Sequence, residues 1–293
     1  MALPKNITEE YSVIRAGWDA STTPIMRNRA ITSSALLSRD DDDIARYRLS
    51  DEVRYRKESF GAVISLSGVS TNFFNESAAS LLAACREPKT FKKIVSSLSN
   101  YFQPPITSEV ESSLRKFVQE CTQVGLLEIV TDIHPSSAQF YFLREDTSSK
   151  PHFYMPLAAE IEITNKCFRQ CSYCAYESGP HPKIQPEHEL TTQQCIQVID
   201  EFAEEGLFAL EFTGGDPFVR SDAFEIMQYA SQKGISLLIN SDLSILDEKH
   251  LEELANLKSL VAVQTSLDGA TAESCDFTRG RGGFKTLVLG LTH

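Results

Sequence analysis

The sequence has no apolar run that approaches the roughly 20 residues needed to span a bilayer, and its first residues lack the apolar core of a secretory signal. It also has no excess of basic residues, because 28 Lys and Arg stand against 40 Asp and Glu and give a formal net charge of −12. A nucleic-acid surface needs clustered Lys and Arg. We therefore expect a cytoplasmic protein with no membrane partner and no nucleic-acid partner.

Cysteine is scarce and odd in number. The 293 residues include seven cysteines, which do not all pair as disulfides and which stay reduced in the cytoplasm. Such a set indicates metal binding or catalysis rather than a disulfide framework. Three of the seven, Cys167, Cys171 and Cys174, fall within eight positions of the segment TNKCFRQCSYCAYESG. This cluster is the first candidate for a functional site.

The rest of the composition is that of an ordinary globular chain of about two domains, with 42% hydrophobic residues. Residues 1–46 are polar and include the acidic run RDDDD, so we predict a poorly ordered segment there. Residues 47–131 predict a small α+β domain. It has two strands in YRLSDEVRYRKESFGAVISLSG, a third in VSTNFF, and then three helices, of which the first begins at Asn75 and the last ends at Gly125.

After a predicted irregular linker at 132–157, the pattern of residues 158–293 becomes β-α-β-α. Four short apolar strands, in AAEIEIT, FALEFT, SLLIN and SLVAVQTSL, alternate with amphipathic helices, the last in GGFKTLVLGLTH. This alternation predicts a parallel sheet with right-handed crossovers. Four strands leave such a sheet with uncovered edges. The alternatives are an open four-stranded layer and a chain truncated at His293 inside a larger barrel, and we expect the truncation.

Polar, glycine and cysteine residues follow all four predicted strands. The strands run into the cysteine segment, into TGGDP at 213–217, into Asn240-Ser241 and into SLDG at 266–269. Active sites of parallel α/β folds lie at the carboxyl ends of the strands. We therefore predict one site there. Each motif taken alone also has a simpler interpretation. TGGDP fits a tight turn, and Asp216 could cap a helix. Arg279 could be a solvated charge rather than the partner of a carboxylate.

The cysteine spacing alone leaves zinc and an iron–sulfur cluster equally open. A structural zinc needs a fourth ligand. None of the candidates has the sequence spacing of a zinc-knuckle ligand; they are His181, His188, Cys195 and Cys275. Three cysteines instead hold three irons of a [4Fe–4S] cube and leave the fourth iron open. An open metal position is typical of a catalytic site. Cys195, like Cys85 and Cys121, lies on a predicted helix and is expected to be a core thiol.

Taken together, these motifs resemble the radical S-adenosylmethionine (SAM) superfamily. The spacing Cys167-x3-Cys171-x2-Cys174, with Tyr173 before the last cysteine, is similar to its cluster signature. The other matching positions are Gly214, Gly215, Asp216, Pro217, Asn240, Ser266, Leu267, Asp268, Gly269, Asp276, Arg279, Gly280, Gly283 and Phe284. The resemblance covers about residues 158–293. It implies a partial (β/α)6, TIM-like barrel, of which this chain has the first four β/α units.

The resemblance also implies cofactors and roles. The three cysteines would anchor a [4Fe–4S] cluster whose open iron chelates SAM, with flavodoxin or ferredoxin as the electron donor. The segment Gly214–Gly215–Asp216 would hold the methionyl ammonium, and Ser266 and Arg279 would meet the carboxylate or ribose. Cleavage of SAM would leave a 5′-deoxyadenosyl radical that abstracts a substrate hydrogen. Further SAM contacts are expected from Tyr173, Asn240 and Asp268. This chain has Asp216 where the family usually has Glu, and Cys275 where relatives commonly have His.

Residues 47–131 are similar to the winged-helix-like PqqD-like domains that accompany radical SAM maturases of the SPASM type. That resemblance implies binding of a precursor's leader peptide as an added strand, with GVSTNFF as the edge and the third helix as the other wall. A plain packing module is the alternative. The predicted function is the modification of a ribosomally synthesised precursor peptide. The alternatives are a sulfatase-maturase-like enzyme acting on a protein or small molecule, and a truncated, inactive cluster- or peptide-binding protein.

Overall fold

The computed structural model describes residues 44–66, 70–98, 106–131, 133–141, 153–181 and 189–292. The predicted disordered segment therefore lies almost entirely outside the described residues, as do Gly68 and Val69 of the predicted edge strand and His188. The chain divides into two compact units, Met1–Tyr154 and Met155–His293. Across the described ranges, no helix is long and apolar enough to cross a membrane.

The first unit combines two small sheets with three helices. One sheet has the strand order β5-β1-β6, and the other has the order β4-β3-β2-β7, in which β2 and β7 are parallel and the other neighbours antiparallel. In chain order the elements are β1 Arg46–Leu49, β2 Val53–Glu58, β3 Gly61–Leu66, β4 Ser70–Asn75, α1 Glu76–Ala84, β5 Lys89–Thr90, α2 Phe91–Leu98, α3 Ser108–Gln123, β6 Leu127–Val130 and β7 Gln139–Tyr141.

The helix ends of the first unit confirm the predicted cap of α1 at Asn75 and the predicted glycine after α3 at Gly125. The Asn75 side chain accepts a hydrogen bond from the Ala78 amide at 3.0 Å at the start of α1, and Thr107 accepts one from Val110 at 3.4 Å at the start of α3. Gly125 follows α3 with φ of 82°, a left-handed conformation that favours glycine. Cys85 and Cys121 are buried in the core, as predicted.

Two strand predictions in this unit were wrong. The first segment forms three strands rather than two, because a turn at Ser50, closed by a 3.1 Å hydrogen bond from the Val53 amide to the Ser50 carbonyl, separates β1 from β2. The predicted irregular linker at 132–157 contains β7, which pairs with β2 and stacks Phe140 on Tyr55 at 4.9 Å between ring centroids. A three-residue strand has too little alternation to be recognised without its partner.

The second unit confirms the predicted parallel sheet. Its four strands are hydrogen-bonded in the sequential order β8-β9-β10-β11, all parallel, as in a barrel wall rather than a doubly wound sheet. In chain order the elements are β8 Ala158–Thr164, α4 Thr192–Glu204, β9 Ala209–Gly214, a short 3-10 helix Pro217–Val219, α5 Ala223–Gln232, β10 Ser236–Asn240, α6 Glu248–Asn256, β11 Leu260–Gln264, α7 Ala272–Arg279 and α8 Gly283–Thr292.

The core of the second unit lies on one face of this sheet. Alternate strand residues, such as Ile163, Phe212 and Ile239, are fully buried with apolar side chains of α4 and α5. After β11 the sequence predicted a single helix, but the structure has two. Thr271 caps α7 through a capping box with Ser274, and this short polar helix has too weak an apolar stripe to be seen in the sequence.

Candidate functional site

The cysteine loop follows β8 and is held by backbone hydrogen bonds. The Cys167 amide donates to the Gly179 carbonyl at 3.1 Å, and the Ser172 amide donates to the Thr278 carbonyl of α7 at 2.9 Å. The three thiols of the loop are partly exposed, whereas Cys85, Cys121, Cys195 and Cys275 are buried. The loop therefore presents its sulfurs at the surface of the unit while its backbone is fixed.

The sulfurs line a cavity of about 220 Å³ at the carboxyl ends of the strands. Residues that follow each of the other three strands complete its wall, so one end of the sheet converges on a single site, as parallel strands require. The cavity is lined by Cys167, Arg169, Cys171, Cys174, Ser178, Thr213, Gly215, Asn240, Ser241, Asp242, Gln264, Ser266 and Arg279. Seven of the eleven predicted site residues are in this set. Tyr173, Gly214, Asp216 and Asp268 lie behind or beside it.

Gly214, the last residue of β9, and Gly215 allow this strand end to lie directly against the end of β8 and the residues that follow it. A Cβ at Gly214, whose φ is 128°, would lie 2.1 Å from the Thr164 carbonyl oxygen, and one at Gly215 would lie 1.9 Å from that of Lys166. The amides of Gly215 and Asp216 donate to these two carbonyls, each at 2.8 Å. No side chain fits here, so the backbone itself forms the wall of the cavity.

Asp216 turns its carboxylate into the protein, where it joins the ends of β9 and β10. It accepts hydrogen bonds from the Phe218 amide at 3.0 Å, the Ser241 hydroxyl at 2.8 Å and the Asp242 amide at 3.0 Å. Burial, followed by the charge of Asp242, raises the pKa of Asp216 to about 6 despite these donors. Asp216 thus caps the short 3-10 helix, one of the two roles that the sequence allowed.

Tyr173, Asp268 and Arg279 form a network that connects the cysteine loop to the segment after β11. Arg279 Nη1 donates to the Tyr173 hydroxyl at 3.1 Å and lies 3.6 Å from Asp268 Oδ1, while Thr278 Oγ1 donates to Asp268 Oδ2 at 2.8 Å. Burial opposes ionisation of Asp268, but hydrogen bonds from Tyr173 and Thr278 and the charge of Arg279 lower its pKa. The guanidinium of Arg279 is therefore paired, buried and directed to the cavity.

Asn240 and Ser266 complete the cavity wall from β10 and β11. The Asn240 side chain donates to the carboxylate of Glu211, which lies on the sheet face opposite the apolar core. The side-chain carbonyl oxygen of Asn165, just before the cysteine loop, is buried without a hydrogen-bond partner among the residues described. Polar groups thus surround the cavity on the side of the strands.

The thiols fit a cluster better than a caged ion. Burial raises the pKa of Cys167 to about 12, with Asp216 and Asp242 adding to the rise, so a metal must displace a proton there. In the described part of the chain, no three His, Cys, Asp or Glu side chains converge as ligands of one metal ion. Cys195 and Cys275 are buried away, and His181 is exposed. A cluster takes one thiolate at each of several irons, which suits three spaced sulfurs.

The sequence missed several residues of the site. Asp242 directly follows the predicted strand end Asn240-Ser241, so extending the strand-end rule by one position would have found it. Gln264 is the last residue of β11 and lines the same cavity. Arg169 has no sequence signal, because a charged residue inside a cysteine loop is usually solvated.

Comparison with known proteins agrees with this geometry. The Radical SAM superfamily model matches residues 161–291. The mycofactocin maturase MftC of Mycolicibacterium smegmatis is 36% identical over 136 residues, which cover 46% of this chain and 33% of that protein. The PqqA peptide cyclase of Bradyrhizobium diazoefficiens is 34% identical over 138 residues, which cover 47% of this chain and 35% of the cyclase. The chain thus spans about a third of the length of these curated relatives.

Two solved structures share the fold at low identity. Streptococcus suis SuiB bound to S-adenosylmethionine has a TM-score of 0.53 and 13% identity, covering 83% of this chain and 52% of SuiB. SuiB bound to the precursor peptide SuiA has a TM-score of 0.50 and 15% identity, covering 80% and 52%. Both alignments reach beyond the second unit. The predicted α/β fold with a parallel sheet is therefore confirmed, and the superfamily whose model matches residues 161–291 is one that uses a [4Fe–4S] cluster and SAM.

Proposed function

We propose that this chain is part of a radical SAM enzyme that modifies a ribosomally synthesised precursor peptide. The observation that carries the proposal is the shared cavity at the strand ends, lined by three partly exposed cysteines together with Gly215, Asn240, Ser266 and Arg279. The relatives support the substrate class, because two of them are named a maturase and a peptide cyclase.

In this proposal each strand end has one task. Cys167, Cys171 and Cys174 would hold a [4Fe–4S] cluster, which, with a flavodoxin or ferredoxin as electron donor, would supply the reducing electron for cleavage of SAM and so for abstraction of a substrate hydrogen. The Gly214–Gly215–Asp216 segment would hold the methionyl ammonium. The close approach of its backbone to Thr164 and Lys166 leaves no room for a side chain at either glycine.

The other strand ends bind the rest of SAM. Arg279 and Ser266 meet the carboxylate or the ribose, and the guanidinium is well suited to a carboxylate because its position is already fixed by Tyr173 and Asp268. Asn240 lines the same wall. This preorganisation lowers the entropic cost of binding SAM, because the side chain loses little freedom when SAM binds.

The first unit, in the proposal, is PqqD-like and binds the precursor's leader. Among the described strands, β4 lies at the edge of its sheet and pairs only with β3. Phe74 on β4 packs against Phe117 on α3 with ring centroids 6.1 Å apart. A leader added as a strand to β4 would therefore lie next to α3, with main-chain hydrogen bonds giving affinity and the helix contacting side chains.

The cluster and its chemistry are tested by anaerobic reconstitution. We expect about four irons per chain, an iron–sulfur absorption and EPR spectrum, and 5′-deoxyadenosine when SAM and a reductant are added. Cys171→Ala is the matched control and should show none of these. A wild-type chain that takes up zinc stoichiometrically and shows no iron-dependent spectrum contradicts the proposal.

The leader is tested with fluorescein-labelled peptides from the small reading frames beside the gene. We expect anisotropy to rise on binding of one of them. Proline at alternate positions of its core should abolish the rise, since proline donates no main-chain hydrogen bond. Binding that tolerates proline throughout argues against strand addition, and binding of none of the peptides argues against the precursor class of substrate.

A further inference from the structure

Arg169, between the first two cysteines of the loop, is held by residues from two distant parts of the second unit. Its Nε donates to Asp242 Oδ2 at 2.7 Å, and its Nη2 donates to the Thr286 hydroxyl of α8. The side chains of Arg169 and Asp242 are 13% and 6% exposed, so the ion pair is largely shielded from water. A shielded, hydrogen-bonded pair restrains its partners far more than an exposed one.

The backbone of the same residue contacts a cysteine sulfur. The Arg169 amide donates to Cys167 Sγ at 3.3 Å. The side chain therefore anchors a residue whose own N–H is directed at a thiol of the site. Hydrogen bonds to the sulfurs of an iron–sulfur cluster tune its reduction potential, and groups that orient metal ligands affect metal affinity.

Asp242 is in turn fixed in place from β10. Its amide donates to Asp216 Oδ2 at 3.0 Å, and its Oδ1 accepts from the Ser244 amide at 2.9 Å. Burial favours the neutral acid, but the bonds from Ser244 and Arg169 outweigh it and lower the pKa of Asp242. The anchor of Arg169 is thus a charged carboxylate in a rigid turn.

We propose that Arg169 and Asp242 are a positioning pair, which holds the Arg169 amide on Cys167 Sγ and so sets the orientation and electronic environment of one cluster ligand. The role rests on the proposed function and refines it. Both residues line the cavity. Both act through Cys167, and the pair makes one end of the cysteine loop dependent on the end of β10.

The test uses Asp242→Asn, Arg169→Gln, the double variant and the conservative Arg169→Lys. The matched control is Asp222→Asn, which breaks the Arg220–Asp222 pair, with Nε–Oδ1 of 2.6 Å, outside the cavity. The first readout is the iodoacetamide labelling rate of Cys167 in the metal-free chain, measured by peptide mass spectrometry against buried Cys195. The second is the midpoint potential and EPR spectrum of the reconstituted cluster.

We expect Cys167 to be labelled about tenfold faster in both single variants than in the wild type. The double variant should be labelled no faster than either single variant, because all three remove the same interaction. The two substitutions change the local charge in opposite directions, so acceleration in both does not come from charge alone. Arg169→Lys should recover part of the protection. The cluster potential should become more negative in the single variants, since a donor to sulfur is loosened.

The proposal is overturned if Cys167 labelling and the potential stay at wild-type values in Asp242→Asn while the unfolding temperature falls as it does in Asp222→Asn. The pair would then serve stability alone. If the wild-type chain assembles no cluster, the proposed function fails, yet the labelling of the metal-free chain still decides whether the pair positions Cys167.

Discussion

Cys85 in the first unit and Cys167 in the second both have their pKa raised to about 12 by burial, yet they lie in opposite surroundings. Cys85 is enclosed by apolar side chains of a core cluster and is 0% exposed. Cys167 lines a cavity, accepts an amide hydrogen bond and lies near two other thiols. The difference teaches that a raised pKa does not by itself distinguish a candidate site thiol from a core thiol. Solvent access and polar neighbours make that distinction.

The two regions also differ in what holds them together. In the described residues, the first unit depends on apolar packing between two sheets and three helices. The strand ends of the second unit depend on hydrogen bonds that join Asp242 to Asp216 and to Arg169, and Arg279 to Tyr173. A substitution should therefore be able to change the stability of the first unit without changing the chemistry of the second unit, and the reverse.

The largest effect is expected from Cys171→Ala. The variant removes one of the three proposed cluster anchors, so iron per chain after anaerobic reconstitution should fall essentially to background. Circular dichroism and limited proteolysis should show the first unit still folded. Retention of the full iron complement would mean that other thiols hold the metal.

Phe117→Ala should produce the reverse pattern. Phe117 is 6% exposed and packs on Phe74, so its loss should destabilise the first unit by about 3–5 kcal/mol. Urea unfolding measures the loss, and iron content should stay unchanged. Val124→Ala, at a position 61% exposed, is the control and should lie within about 0.5 kcal/mol of wild type. An equal loss of iron in Phe117→Ala would show that the two regions are not separable.

Gly215→Ala and Gly125→Ala compare a glycine of each region. A Cβ at Gly215 would lie 1.9 Å from a backbone oxygen and should cost about 1–3 kcal/mol, with a loss of SAM binding measured by calorimetry. Gly125, with φ of 82° and its nearest neighbour 3.5 Å away, should cost only about 1 kcal/mol of backbone strain. Equal costs would show that the close approach of β8 and β9 relaxes easily.

Alkaline pH should weaken the first unit through its core thiols. Because the folded pKa of Cys85 lies above that of the unfolded chain, its stabilising effect is complete below about pH 9 and is lost as the pH rises toward about 12. The measurement is urea unfolding at several pH values. In Cys85→Ala the dependence on pH should be shallower, and an unchanged slope would rule out this thiol as its source.

Cys195→Ala should have the smallest effect on the site. Cys195 is buried on α4 within the core of the second unit, so its loss should cost some stability but leave iron content near wild type. A large loss of iron would mean that the loop cysteines had been wrongly chosen.

Much of the second unit followed from local pattern. The four strands, their parallel pairing and the convergence of cysteines, glycines and Asn240 at one end were predictable, because strand period and helix period differ and parallel strands end together. The helix α7 was not, since it is short and polar with a local cap, and neither was β7, a three-residue strand whose partner β2 is distant in the sequence. For the same reason Arg169 gave no signal until Asp242 was seen beside it.

The sequence by itself determined which residues are candidates for the chemistry: three thiols at fixed spacing, two adjacent glycines after a strand, and a β-α order that brings strand ends together. Only the tertiary structure decided where Asp216 directs its carboxylate, which thiols stay accessible, and that Arg169 reaches Asp242 across the site. The physical reason is range. Periodicity and turn chemistry act over a few residues, whereas burial and charge pairing depend on neighbours that only folding supplies.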